Sequence, residues 1–460
     1  MQEYFTAKPG SDVRTIHVLG KEEFDEWRSQ APDRTVRWMK DNDFSARAGS
    51  FLGVPGADGQ LESVIAGVGA NGTGVRDMAA LAQRLPAGTY RLHSKQTLDA
   101  DLCALGWAQG QYRFSLYRQA TPGKPRILVW PEGAARDDVI AAAQADKLVR
   151  DLVNTPASDM GPNDLEAASR DLATEFGAKC AVTAGDDLLA DNYPSIHAVG
   201  RASSKAPRLI DLRWGEAGRP RVTLVGKGVC FDSGGLNIKP AAGMRWMKKD
   251  MGGAAHVMGL ARMIMASGLP VTLRVLVAAV ENSISDNAYR PGDVLPTRKG
   301  ITVEIGNTDA EGRIVLSDAL ALADEESPDL IVNMATLTGA ARIALGPELP
   351  AMYTDNDEIA VRLQELSCSK QDPLWRMPLW SPYDRDMVSG VADVNHIASN
   401  SLGGSIHAAL FLRRFVENAG AFVHMDIYSW NSKTRPGRPE GAETQGIRSL
   451  FALISERYGT

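Results

Sequence analysis

ITVEIGNTDAEGRIVLSDALALAD, residues 301–324, places a strand pattern, a charged turn and a helix pattern in direct succession. Residues 301–305 alternate apolar and polar, as a half-buried strand does. Residues 314–326 are apolar and rich in Leu and Ala, which predicts a buried helix. Between them lies NTDAEGR, residues 307–313, with Asp309, Glu311 and Arg313 inside one turn. Charges at the carboxyl end of a strand mark the usual place for a site in a sheet covered by helices.

The same alternation continues on both sides. Strand patterns occupy 221–225, 272–280, 330–334 and 422–427; helix patterns occupy 252–267, 314–326 and 405–417. This order predicts a mostly parallel central sheet covered by helices, an α/β/α domain. A smaller α/β domain is expected before it. Its strands are expected at 15–19, 63–68, 89–93, 112–117 and 126–130, with a helix at 76–84. Pro and Gly at 121–125 and 131–133 suggest the boundary. An alanine-rich helix at 134–153 connects the two. The domains read as 1–130 for the N-terminal unit, 131–155 for a linker helix and 156–460 for the catalytic unit.

With 460 residues, two domains are the natural expectation. Apolar residues at 44% and charged residues at 23% describe a globular chain. The net charge of -6 gives no general basic field, so DNA binding has no support, although a local basic patch stays open. No apolar run approaches a membrane span and the N-terminus has no apolar signal core, so the protein is expected in the cytoplasm. Cys103, Cys180, Cys230 and Cys368 are far apart and form no CxxC, which fits a reducing compartment.

Two more charged turns accompany NTDAEGR. VTLVGKGVCFDSGGLNIK, 222–239, runs from an apolar strand through Lys227 to Asp232 and then Lys239. MKKDMGGAA, 247–255, sets Asp250 just before a helix. Singly, Asp250 reads as an N-cap, Asp309 and Glu311 as turn formers, and Lys227 as an ion-pair partner. Together they gather four carboxylates, which is costly unless cations neutralise them. Divalent ions do so, and a carboxylate shared by two ions makes a two-metal site. The chain has no HExxH, GxSxG or GxxxxGK[ST]. His256 reads as a core histidine and Cys230 as a buried thiol.

These three stretches, with TLTGA at 336–340, resemble the leucine aminopeptidase (cytosol aminopeptidase) family of dinuclear-metal exopeptidases. The resemblance runs from Asn154 to the C-terminus. It implies two divalent metal ions, Mn²⁺ or Zn²⁺. Lys227, Asp232, Asp250 and Glu311 would bind one ion, and Asp232, Asp309 and Glu311 the other. Lys239 and Arg313 would be the catalytic pair. A bicarbonate at Arg313, helped by the backbone N–H of Leu337, would shuttle the proton. Met247, Thr336 and Gly339 would wall the side-chain pocket, with core packing the alternative for Met247. Asp250 would also meet the substrate's amine.

The implied activity is release of an N-terminal amino acid, preferably Leu or another bulky apolar residue, from short peptides by a homohexamer. A water bridging two cations loses a proton near neutral pH and serves as the nucleophile. Cys230, where Thr is common in the family, and Tyr428 and Trp430, where many relatives have small residues, depart from the pattern. The last two bear on side-chain preference. The alternatives from other classes are a dinuclear hydrolase of another substrate and a binding protein on the same scaffold.

Overall fold

The computed structural model describes residues 1–69, 74–118 and 123–459. The chain divides into two compact units, one of Met1–Lys147 with Lys433–Glu440, the other of Leu148–Ser432 with Gly441–Thr460. The dividing point falls inside the helix Arg136–Asn154.

The first unit carries a six-stranded sheet in the order Phe5–Thr6, Arg126–Val129, Gly88–His93, Val13–Leu19, Leu61–Gly67, Phe51–Pro55. All its pairings are parallel except the last. The expected strand at 112–117 is not one. Tyr112, Phe114 and Leu116 mimic an alternating pattern, but the N–H of Arg118 closes a turn onto the Ser115 carbonyl and Leu116 is exposed. Of the boundary suggested at 121–125, Thr121 and Pro122 lie outside the described residues.

The second unit is built on an eight-stranded sheet. Its order is Trp375–Arg376, Ala351–Tyr353, Phe422–Asp426, Leu330–Ala335, Arg221–Asp232, Thr272–Asn282, Arg208–Trp214, Lys179–Ala184. The four central strands pair in parallel; antiparallel pairings add Ala351–Tyr353 on one side and Arg208–Trp214 and Lys179–Ala184 on the other, and the edge strand Trp375–Arg376 pairs in parallel with Ala351–Tyr353. The central strands are nearly continuous apolar runs, as expected for strands covered on both faces. Helix Glu311–Asp324 is buried along its whole length and Gly252–Ala266 at every residue but its last, consistent with such a sheet.

One expectation changes in a way that matters for the site. The strand before NTDAEGR is only Val303–Glu304, and it belongs to a separate three-stranded sheet with Val294–Leu295 and Val394–Asn395. The turn therefore does not end a strand of the central sheet. It reaches the site by opening the helix Glu311–Asp324, which packs against the strand Arg221–Asp232.

Candidate active site

The strand Arg221–Asp232 contributes both ends of the site's chemistry. Lys227 sits within it and Asp232 ends it, both buried. A bulge between Val280 and Glu281 slips the register with the neighbouring strand, so that Asn282 comes level with Asp232. Asn282 then donates Nδ2–H to Asp232 Oδ1 at 2.8 Å and to the Thr308 carbonyl at 2.9 Å. The loop that follows turns through Gly234 and Gly235, both in the left-handed region that favours glycine. Thr308 and Asn237 lace this loop to NTDAEGR through paired bonds of 2.8 Å. His396 fixes the start of the same turn, between the Gly306 N–H and the Asn307 carbonyl. Burial and Arg313 push its pKa down to about 4, which keeps the ring neutral.

Four carboxylates and two ammoniums meet here. Lys227 Nζ lies 2.8 Å from Asp250 Oδ2 and 2.9 Å from Glu311 Oε1, and donates to the Thr336 carbonyl at 2.8 Å. Lys239 Nζ lies 2.7 Å from Asp232 and 2.5 Å from Asp309. One oxygen each of Asp232, Asp309 and Glu311 fall within 4.8 Å of one another. Asp250 is not an N-cap: it lies in the 3-10 helix Met247–Met251, and its carboxylate accepts from Thr336 Oγ1 at 2.8 Å. Gly312 gives Lys227 its room, since a Cβ there would stand 2.7 Å from Nζ.

Burial opposes charge throughout this cluster, and the neighbours decide each sign. For Lys227 burial lowers the pKa, but Asp250, Glu311 and Asp232 raise it above the ordinary lysine value. Lys239 is raised against burial by Asp232, Asp250 and Glu311. Asp232 is pushed up to about 6 by burial and then by Asp250. Glu311 is raised well above its usual range by burial and Asp232. Burial also raises Asp250, but Lys227, Lys249 and Lys239 outweigh it and hold the carboxyl below its usual value.

The donors fit a pair of divalent cations. Asp250 Oδ2, Asp309 Oδ1 and Glu311 Oε1 are buried without a well-directed hydrogen bond, although ammonium nitrogens stand 2.5–2.9 Å from them. Buried carboxylate oxygens left in this state have capacity for ligation. Carboxylates with one amine suit hard and borderline ions.

The remaining expected residues surround this cluster. Arg313 is buried, donates Nη1–H to the His396 carbonyl at 2.7 Å, and keeps Nε without a partner. Burial pulls its pKa down to about 10, and guanidinium still stays charged at neutral pH. The N–H of Leu337 is already committed: it donates to Asp426 Oδ1 at 3.0 Å. Asp426 also accepts from Thr338 N–H and Oγ1, so a buried acid fixes the segment after the strand Leu330–Ala335. Thr336 is buried, Met247 half-buried and Gly339 exposed at the start of the helix Gly339–Leu345. His256 is buried between the Gly252 carbonyl and the Gln445 N–H, a core histidine as expected. Cys230 is buried and its thiol raised by burial.

The catalytic-domain model of the cytosol aminopeptidase family matches residues 147–451. The chain belongs to the cytosol aminopeptidase family. The model of the N-terminal domain of M17 aminopeptidases matches residues 15–131. A "probable cytosol aminopeptidase" from Geobacter sp. (strain M21) is 37% identical over 81% of this chain and 78% of its own length. The crystal structure of the cytosol aminopeptidase from Coxiella burnetii superposes with a TM-score of 0.95 at 44% identity, covering 99% of this chain and 100% of that one. The bottromycin maturation enzyme BotP in complex with Mn gives 0.87 at 33% identity, over 97% and 100%. The family is one of dinuclear metal-dependent peptidases, and Asp232, Asp309 and Glu311 form a group that could hold a metal ion.

Proposed function

We propose that the protein is a leucyl-type metalloaminopeptidase that removes the first residue from short peptides with a free N-terminus. The observation that carries this reading is the cluster itself: oxygens of Asp232, Asp309 and Glu311 within 4.8 Å, with Lys227 bound to Asp250 and Glu311. Lys227, Asp232, Asp250 and Glu311 would hold one divalent ion; Asp232, Asp309 and Glu311 would hold the other. Mn²⁺ and Zn²⁺ are the ions expected from this donor set. When bound, the ions supply positive charge that activates a water and polarises the scissile carbonyl.

The chain's own groups do the rest. Asp250, a carboxyl held below its ordinary pKa by Lys227, Lys249 and Lys239, is anionic and meets the substrate's α-ammonium or amine. Lys239 keeps its proton and donates to the oxyanion of the tetrahedral intermediate. Arg313 would hold a bicarbonate, which would supply a proton carrier between the water and the leaving amine. Its unpartnered Nε supports that role, and the Leu337 N–H contributes only if it leaves Asp426. Met247, Thr336 and Gly339 wall the pocket for the first side chain, Leu among them. The active assembly is proposed to be a homohexamer in the cytoplasm; among the described residues no helix is long and apolar enough to cross a membrane.

The test is hydrolysis of leucine p-nitroanilide before and after chelation, then with Mn²⁺ or Zn²⁺ restored, beside an N-acetylated substrate and the Glu311→Ala variant. Activity is expected to follow the metal, to require the free amine and to vanish in Glu311→Ala. Metal-loaded wild type that cleaves no free-amine substrate would overturn the reading.

A further inference from the structure

Among the described residues, two cations beside this site form no direct ion pair, although the Asp250 charge acts on Lys249 at longer range. Lys249 is only 6% exposed, yet among the described residues its Nζ finds no ion pair, only the face of the Tyr428 ring at 4.9 Å. Its chain neighbour Asp250 gives its carboxylate to Lys227 and Thr336. Arg342 is exposed and places its guanidinium 4.9 Å from the same ring, again with no carboxylate among the described residues. A lysine this buried is normally paired.

The location gives these cations a use. Lys249 lies in the 3-10 helix Met247–Met251 and Arg342 in the helix Gly339–Leu345. These two elements also carry Met247 and Gly339, which wall the proposed side-chain pocket. Gly339 and Arg342 are three apart on one helix and so share a face. A methyl added at Gly339 would meet nothing within 4 Å, so that face is open there. Arg342 and Tyr428 also border a small hollow of about 10 Å³, partly open to solvent, so Arg342 is not packed on all sides.

We infer that Lys249 and Arg342, gathered about Tyr428, form a carboxylate-binding end of the pocket, so that peptides beginning with Glu or Asp are substrates beside those beginning with Leu. The apolar wall takes the methylene stem and the cations take the charge. Tyr428 closes the pocket and holds both cations at its ring, which gives a physical sense to the large residue at this position. The inference rests on the aminopeptidase reading and adds its substrate class.

The experiment compares kcat/KM for the p-nitroanilides of Glu, Gln and Leu on metal-loaded wild type, Lys249→Met and Arg342→Met, with bound metal measured for each. Gln has the shape of Glu without its charge, so the Glu-to-Gln ratio reads the cations within one enzyme. Wild type is expected to favour Glu over Gln by about tenfold, the size of a charge-assisted contact, and added salt should shrink the ratio. Each variant should bring the ratio to within about threefold of unity, or below it. Arg342→Met stands on its own if Lys249→Met fails to fold or to load metal. Leu cleaved with Glu no better than Gln overturns this inference alone. A high ratio unchanged in Arg342→Met and in any folded Lys249→Met does the same. Failure to cleave all three overturns the aminopeptidase reading together with it.

Discussion

Lys239 stands within 2.7 Å of carboxylates from two different turns, and Asp232, Asp250 and Glu311 keep its ammonium charged. A group in that position that donates only to a developing oxyanion should affect turnover more than binding. Lys239→Ala is therefore expected to lower kcat by about 10²- to 10³-fold with KM far less changed. Steady-state kinetics on leucine p-nitroanilide, with metal content checked, decides it; a change confined to KM would make Lys239 a binding residue. The protons in the cluster set a second expectation. Ligation needs Asp232 and Glu311 ionised and Lys227 as the free amine, whereas the metal-free pKa values of all three are raised. Metal loading must expel protons, so affinity should climb with pH, by about one log unit per pH unit for each proton released. For Asp232 that gain is confined to pH below about 6, where the metal-free carboxyl still holds its proton. Chelator-competition titrations from about pH 5 to about pH 8 would show the slope, and a flat profile would mean the ligands are already deprotonated.

The central elements were legible because each is long, apolar and closed by glycine or charge. The chemistry was legible because its residues are packed into three short turns. What escaped was held by partners distant in sequence. Asn282 is the clearest case, a polar residue at the end of an apolar strand that grips Asp232 only because a bulge aligns them. Its position just past the 272–280 pattern was the one available signal. Asn282→Ala should keep the fold but loosen both turns, weakening metal binding by about 10- to 100-fold, as loss of a group orienting a ligand does. A direct metal titration with a parallel circular dichroism spectrum separates that from unfolding. The strand Arg208–Trp214 was hidden for a different reason. Asp211 and Arg213 interrupt its apolar pattern, and only the sheet reveals that Arg274 on the next strand pairs with Asp211 at 2.7 Å. The strand expected at 301–305 contracted to Val303–Glu304, since an alternating pattern specifies a face but not how many partners it will find.

For the whole molecule, a two-domain α/β chain with a mostly parallel second sheet could be read from length and alternation. The antiparallel strands at its margins could not. The proposed hexamer would have a mass of about 300 kDa, with symmetric subunits of 49.5 kDa. Mass photometry at nanomolar concentration is expected to show that species, and a monomer alone would remove the hexamer from the proposal. The sequence also gave no hint that Lys433–Glu440 belongs with the first unit, where a Cβ on Gly437 would stand 2.6 Å from Ala79. On the ribosome, that octapeptide emerges only after nearly all of the second unit has been synthesised. The first unit therefore waits, lacking one of its own pieces, until translation is almost finished. A fragment ending at Lys147 would be released without it, and should be more readily cut by protease than the same residues in the full chain.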